Sequence, residues 1–126
     1  MGKGASEKWL KQAQRDLEWT EANIREKIWY GTCFTAQQTA EKSLKAYLLS
    51  KGKTAAKIHD LGALCQMCKI YDEDFENFKE SCATLTNYYS PARYPDIAEF
   101  MTFSEKEAKE AYKLAKSILD FVHDKI

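Results

Sequence analysis

Both prolines of this chain, Pro91 and Pro95, fall inside one polar, aromatic stretch, Tyr88-Tyr89-Ser90-Pro91-Ala92-Arg93-Tyr94-Pro95-Asp96. Proline cannot donate the helical hydrogen bond, and its ring biases the preceding residue toward extended backbone, so Ser90 and Tyr94 belong to a stiff connection between two helical segments. On either side of that break the pattern is helical. From Ser6 to Ile28, Leu10, Ala13, Leu17, Thr20, Ile24 and Ile28 recur at three- and four-residue steps, the spacing of a helix with one buried face. Ser6 reads as the N-cap of this helix, with Glu7 in its first turn, in preference to the loose myristoylation pattern that Gly2 and Ser6 also fit. Gly31 is expected to end it.

A second helix is expected over 32–50, with Ala36, Ala40, Leu44, Tyr47 and Leu48 inward and Gly52 just past its end. Asp60 caps a third, in which Leu61, Leu64, Cys68 and Tyr71 share a face, and Phe75, Phe78, Cys82, Leu85 and Tyr89 mark a fourth. Ser104 and Glu107 form a capping box for the last helix, whose stripe is Ala108, Ala111, Ala115, Ile118 and Val122. No segment alternates with period two, and neither repeat nor linker divides residues 1–126. The expected fold is one all-α domain, an antiparallel up-and-down bundle of four to five helices.

A chain of 126 residues buries about two thirds of its unfolded surface without staples. Nineteen basic and nineteen acidic residues cancel, so no global field attracts nucleic acid or an anionic membrane. No apolar run is long enough for a transmembrane helix or a signal peptide, and a cytoplasmic location is expected. Cys33, Cys65, Cys68 and Cys82 read as reduced core residues; Cys65-x-x-Cys68 lies on a helix, and no second pair completes a zinc set, so neither metal nor cofactor is expected.

Phe34-Thr35-Ala36-Gln37-Gln38-Thr39-Ala40-Glu41-Lys42-Ser43-Leu44-Lys45-Ala46-Tyr47-Leu48, then His59-Asp60-Leu61, then Tyr89 and Arg93-Tyr94-Pro95-Asp96 before a last helix, resemble the HEPN family (higher eukaryotes and prokaryotes nucleotide-binding) over nearly the whole chain. The resemblance implies an antiparallel helical bundle, commonly a homodimer, often encoded beside a minimal nucleotidyltransferase and frequently the RNA-cleaving toxin of a toxin–antitoxin pair. The catalytic signature it implies is an arginine followed, after four to six residues, by a histidine. Arg93 matches the arginine, whereas the histidine positions hold Ala98, Glu99 and Phe100. None of these replaces an imidazole that titrates near neutral pH, so loss of the standard ribonuclease activity is expected. Asp96 and Glu99 ordinarily titrate near four and sit beside a guanidinium, which makes them poor substitutes. His59 reads as a helix-boundary residue, and His123 suits the carbonyl end of the last helix.

Arg93 either pairs with Asp96 or Glu99 to lock the loop, or offers its planar fork to a phosphate while Tyr88, Tyr89 and Tyr94 present rings to a base. Gln37, Glu41 and Lys45 stack along one side of the second helix. They read as a solvated stripe, with a Glu41–Lys45 pair contributing about 0.2–0.5 kcal/mol, or as a polar groove or dimer seam. The expected function is nucleotide or RNA binding through Arg93, Tyr94, Asp96, Tyr89 and Lys45, with Gln37 and Glu41 in a polar groove. The expected assembly is a homodimer, partnered by a minimal nucleotidyltransferase and not by a membrane. The alternatives are a residual metal-independent ribonuclease using Arg93, and a structural subunit whose Trp19, Trp29 and Phe100 meet a protein partner.

Overall fold

The computed structural model describes residues 2–89 and 103–126; Arg93, Tyr94, Asp96 and the positions Ala98, Glu99 and Phe100 lie outside them. The helices are α1 (Gly2–Arg25), α2 (Trp29–Ser50), α3 (Leu61–Lys69), α4 (Lys79–Leu85) and α5 (Glu105–Lys125), with 3-10 turns at Glu73–Phe78 and Thr86–Tyr88. Among the described residues there is no strand. The all-α bundle is as the periodicity required.

α1 and α2 form an antiparallel hairpin, shown by which residues meet: Ser6 reaches Ala46, Asp16 reaches Lys42, and Thr20 reaches Thr35. Ser6 is therefore not a cap. It lies inside α1, fully buried, and its Oγ donates to the Ala46 carbonyl at 2.8 Å, because a small hydroxyl lets the helices approach closely. Gly31 does not end α1 either; it lies in α2. The turn is made by Lys27 in the left-handed region (φ 57°), with Ile28 N–H donating to Asn23 O and Lys27 N–H to Ile24 O. That pair of bonds is the Schellman arrangement, usually built on glycine. α2 ends the same way: Gly52 (φ 76°) donates to Leu49 O and Lys53 to Leu48 O.

α2 is the axis of the molecule, packed by α1 and α5 and flanked by α3 and α4. Alanines at the seams, Ala13, Ala36, Ala40, Ala111 and Ala115, are almost wholly buried and permit short interhelical distances. Tyr47, Phe75, Phe78 and Phe121 join α2, the first 3-10 turn and α5, with ring centroids 4.6–5.0 Å apart from Tyr47 to Phe75, Phe75 to Phe121 and Phe78 to Phe121. Asp60 caps α3 through the Gly62 N–H, and Ser104 and Glu107 close a full capping box on α5. Tyr71, expected inward, is exposed, and Cys65 takes an inward place on α3. The expected fourth helix is divided, since Asp72 accepts from Asp74 N–H and starts a 3-10 turn before α4. All four cysteines are free and buried, and burial pushes the Cys33 thiol up to about 12.

Candidate functional site

The polar strip of α2 faces inward. Gln37 and Lys45 are 0% and 3% exposed and Glu41 5%, which removes the solvated-stripe reading. Glu41 is the hub. Its Oε1 accepts from Gln37 Nε2 at 3.0 Å, while its Oε2 accepts from Lys45 Nζ at 2.8 Å and lies 2.9 Å from His59 Nδ1. Gln37 is held in turn by Gln38, whose amide donates to its Oε1 at 2.7 Å. Lys45 also donates to the Ala56 carbonyl at 3.0 Å and lies 5.6 Å from the centre of the Trp9 ring, so its ammonium is met on three sides.

Burial alone would raise the Glu41 pKa, but hydrogen bonds from Lys45, Gln37 and His59, with the Lys45 charge added, hold it below its ordinary value. Glu41 is thus an ionised, acceptor-only carboxylate, and the proton in the short contact belongs to His59 Nδ1. Nε2 is then the unprotonated ring nitrogen of a neutral imidazole, on a side chain that is 47% exposed, with no hydrogen-bond partner among the described residues. The His59 ring stacks on Tyr89, centroids 5.1 Å apart and 16° from parallel. The imidazole is thus held between the Glu41 carboxylate at its Nδ1 and the Tyr89 ring on its face.

The sequence-expected site residues separate accordingly. Gln37, Glu41 and Lys45 come together, Tyr89 joins them through His59, and Arg93, Tyr94 and Asp96 lie outside the described residues. Tyr88, expected to offer a ring face, is buried against Phe103 at 5.6 Å, and burial pushes its hydroxyl up to about 12. Sequence reasoning placed His59 at a helix boundary and missed its bond to Glu41 across the loop that follows α2. Among the described residues no cluster of three or more His, Cys, Asp or Glu side chains could hold a metal ion.

These features define an all-helical bundle domain that keeps an ion pair and a histidine contact inside and beside its central helix. A family model described as the HEPN domain matches residues 6–125, and the chain belongs to the HEPN family. It is similar to TT1696 from Thermus thermophilus, known from a crystal structure (33% identity, 96% of this chain and 98% of that one, TM-score 0.81). It is also similar to ST0689, described as an archaeal HEPN homologue (29% identity, 95% and 96%, TM-score 0.77). Among curated proteins there is no match. No helix among the described residues is long and apolar enough to cross a membrane.

Proposed function

We propose that this HEPN-family protein binds nucleotide or RNA as a cytoplasmic homodimer and partners a minimal nucleotidyltransferase in a toxin–antitoxin-like pair, without the family's standard ribonuclease reaction. The observation that carries this reading is family membership over residues 6–125 combined with an Arg93 that no histidine follows at 98–100. In this reading Arg93 contacts phosphate, Tyr89 and Tyr94 flank a base, and Asp96 orients the arginine. Lys45, Gln37 and Glu41 act from behind, because their polar atoms are already committed to one another. Arg93→Ala is expected to weaken RNA or nucleotide binding at unchanged helicity. Unchanged affinity would remove the Arg93 segment from the site. Co-expression with the neighbouring reading frame, followed by mass measurement, tests the partner and the dimer together.

One observation favours a second reading, a residual metal-independent ribonuclease: His59 is oriented by a carboxylate, and its Nε2, without a hydrogen-bond partner among the described residues, suits proton transfer. Incubation of an end-labelled RNA pool with the wild type, Arg93→Ala and His59→Ala decides it. Cleavage lost in both variants supports the residual enzyme; no cleavage, or equal cleavage by all three, removes it.

A further inference from the structure

α3 and α4 make a second, shorter hairpin, and its register brings two thiols face to face. At one end the Leu61 N–H donates to Thr86 Oγ1 at 3.2 Å, and at the other Lys69 pairs with Glu76 at 2.8 Å. The two helices therefore run antiparallel. Cys65, four residues from both Leu61 and Lys69, falls opposite Cys82, four residues before Thr86. The side chains meet: the Cys82 thiol hydrogen-bonds to that of Cys65, whose Sγ also donates to the Phe75 carbonyl at 3.2 Å. Cys68 turns away from this pair and donates to the Leu44 carbonyl at 3.6 Å, and Cys33 lies on α2.

Two facing thiols on helices already packed together are the arrangement a disulfide requires. Their surroundings also give the pair a direction. The hydrogen bond from Cys82 lowers the Cys65 thiol and raises that of Cys82, while burial raises Cys68 and Cys33. Cys65 is also the only one of the four with any exposure, 3% against 0% for the others. The thiolate is the nucleophile, so Cys65 reacts first. A hydroperoxide is small enough to reach it through a slight opening of the hairpin that would not admit a bulky reagent. We propose that Cys65 and Cys82 form a reversible disulfide that staples α3 to α4, made by a hydroperoxide and undone by a low-molecular-weight thiol. The Cys65 thiolate attacks the terminal peroxide oxygen and the O–O bond breaks. Cys65 becomes a sulfenic acid, and the departing alkoxide or hydroxide takes up the proton that Cys65 shed. The Cys82 sulfur then attacks the Cys65 sulfur, the S–O bond breaks, and the hydroxyl leaves with the Cys82 proton as water. The two thiols have together lost the two electrons that the peroxide gained. Two molecules of the external thiol reverse the bond by exchange and depart as their own disulfide. The staple acts on a hairpin whose open end carries His59 stacked on Tyr89, so oxidation fixes both supports of that contact.

The experiment exposes the reduced full chain to hydrogen peroxide under native conditions, quenches with catalase and alkylates in denaturant. Two of the four thiols should escape alkylation, dithiothreitol should restore all four, and fragmentation of the linked peptides should place the bond at Cys65 and Cys82. Cys82→Ala should stop at a Cys65 sulfenic acid that dimedone traps, Cys65→Ala should give neither bond nor adduct, and Cys68→Ala should keep the bond. Circular dichroism checks that each variant folds, and the wild-type peptide map decides the matter where one does not. The oxidised chain should unfold at a higher denaturant midpoint than the reduced one. Four alkylated thiols after peroxide, a bond that includes Cys33 or Cys68, a bond that forms only in denaturant, or a midpoint that does not rise would each overturn the assignment.

Discussion

The Glu41 carboxylate carries more of this molecule's electrostatic risk than any other described group. An ionised side chain that is 5% exposed is tolerated only because Lys45, Gln37 and His59 fill its acceptor sites. Glu41→Gln keeps the shape but leaves the Lys45 ammonium buried without its counter-charge. Breaking such a pair costs about 3–5 kcal/mol, and chemical denaturation should show a loss of that order. Adding Lys45→Met should recover most of it, since no orphan charge then remains; a single variant within about 0.5 kcal/mol of wild type would disprove the argument. The pH dependence has a definite sign. Because Glu41 titrates in the folded protein below its ordinary 4.5, its contribution is complete above about pH 4.5 and is lost as pH falls through the folded value. Wild type should therefore lose stability in acid more steeply than Glu41→Gln. The sequence placed Gln37, Glu41 and Lys45 on one line of α2 but not on its inner side. Four-residue spacing fixes which side chains are neighbours and says nothing of what lies opposite. The available signal is that Gln38 and Lys42, four residues apart, already supply α2 with a partly exposed polar line, which leaves the Gln37–Glu41–Lys45 line to turn inward.

At the scale of the element, two helix ends built alike were read with opposite success. α1 and α2 both terminate with paired bonds closing on a left-handed residue, Lys27 in one and Gly52 in the other. Gly52 is legible because glycine adopts positive φ without penalty; Lys27 is not, because nothing in its chemistry signals that conformation. A left-handed non-glycine residue is strained by roughly 1–2 kcal/mol, against roughly 0.5–1 kcal/mol of extra unfolded-chain entropy for glycine. Lys27→Gly should therefore raise stability by about 0.5–1 kcal/mol, and Gly52→Ala, with no neighbouring atom within 4 Å of the added Cβ, should lower it by about 1 kcal/mol through backbone strain alone. Thermal unfolding of the pair checks both signs; a destabilised Lys27→Gly would mean that its side chain contributes more than its backbone costs. Ser104 and Asp60 were read correctly as caps because capping is local chemistry, settled within three residues. Ser6 has the same residue type but was claimed by a tertiary contact, Ala46, that lies forty positions away.

At the scale of the molecule, α2 touches every other α-helix among the described residues, so opening it should open the domain. The four thiols report on this. Cys33 sits near the start of α2, Cys65 and Cys68 on α3 and Cys82 on α4, all buried. Burial pushes the Cys33 and Cys68 thiols upward, so little thiolate forms there at neutral pH, while Cys65, whose thiol is lowered by its hydrogen bond with Cys82, is kept from a bulky reagent by its burial while the fold is closed. Cys68 Sγ also donates to the Leu44 carbonyl on α2 at 3.6 Å, and Cys65 Sγ to the Phe75 carbonyl at 3.2 Å, which ties α3 to both its neighbours. A large excess of an aromatic disulfide should leave the native protein unlabelled on the mixing timescale and label four thiols at once in denaturant. Slow native labelling should then follow a single rate that rises with denaturant, because the core runs unbroken from Leu44 through Cys68 to Phe75 and Phe121. A faster phase confined to Cys65, Cys68 and Cys82 would show instead that α3 and α4 open as a unit of their own. In that case the Glu41–His59 contact, which joins α2 to the loop before α3, would break with them and free the imidazole, a change that His59 ring-proton exchange would register at the same rate.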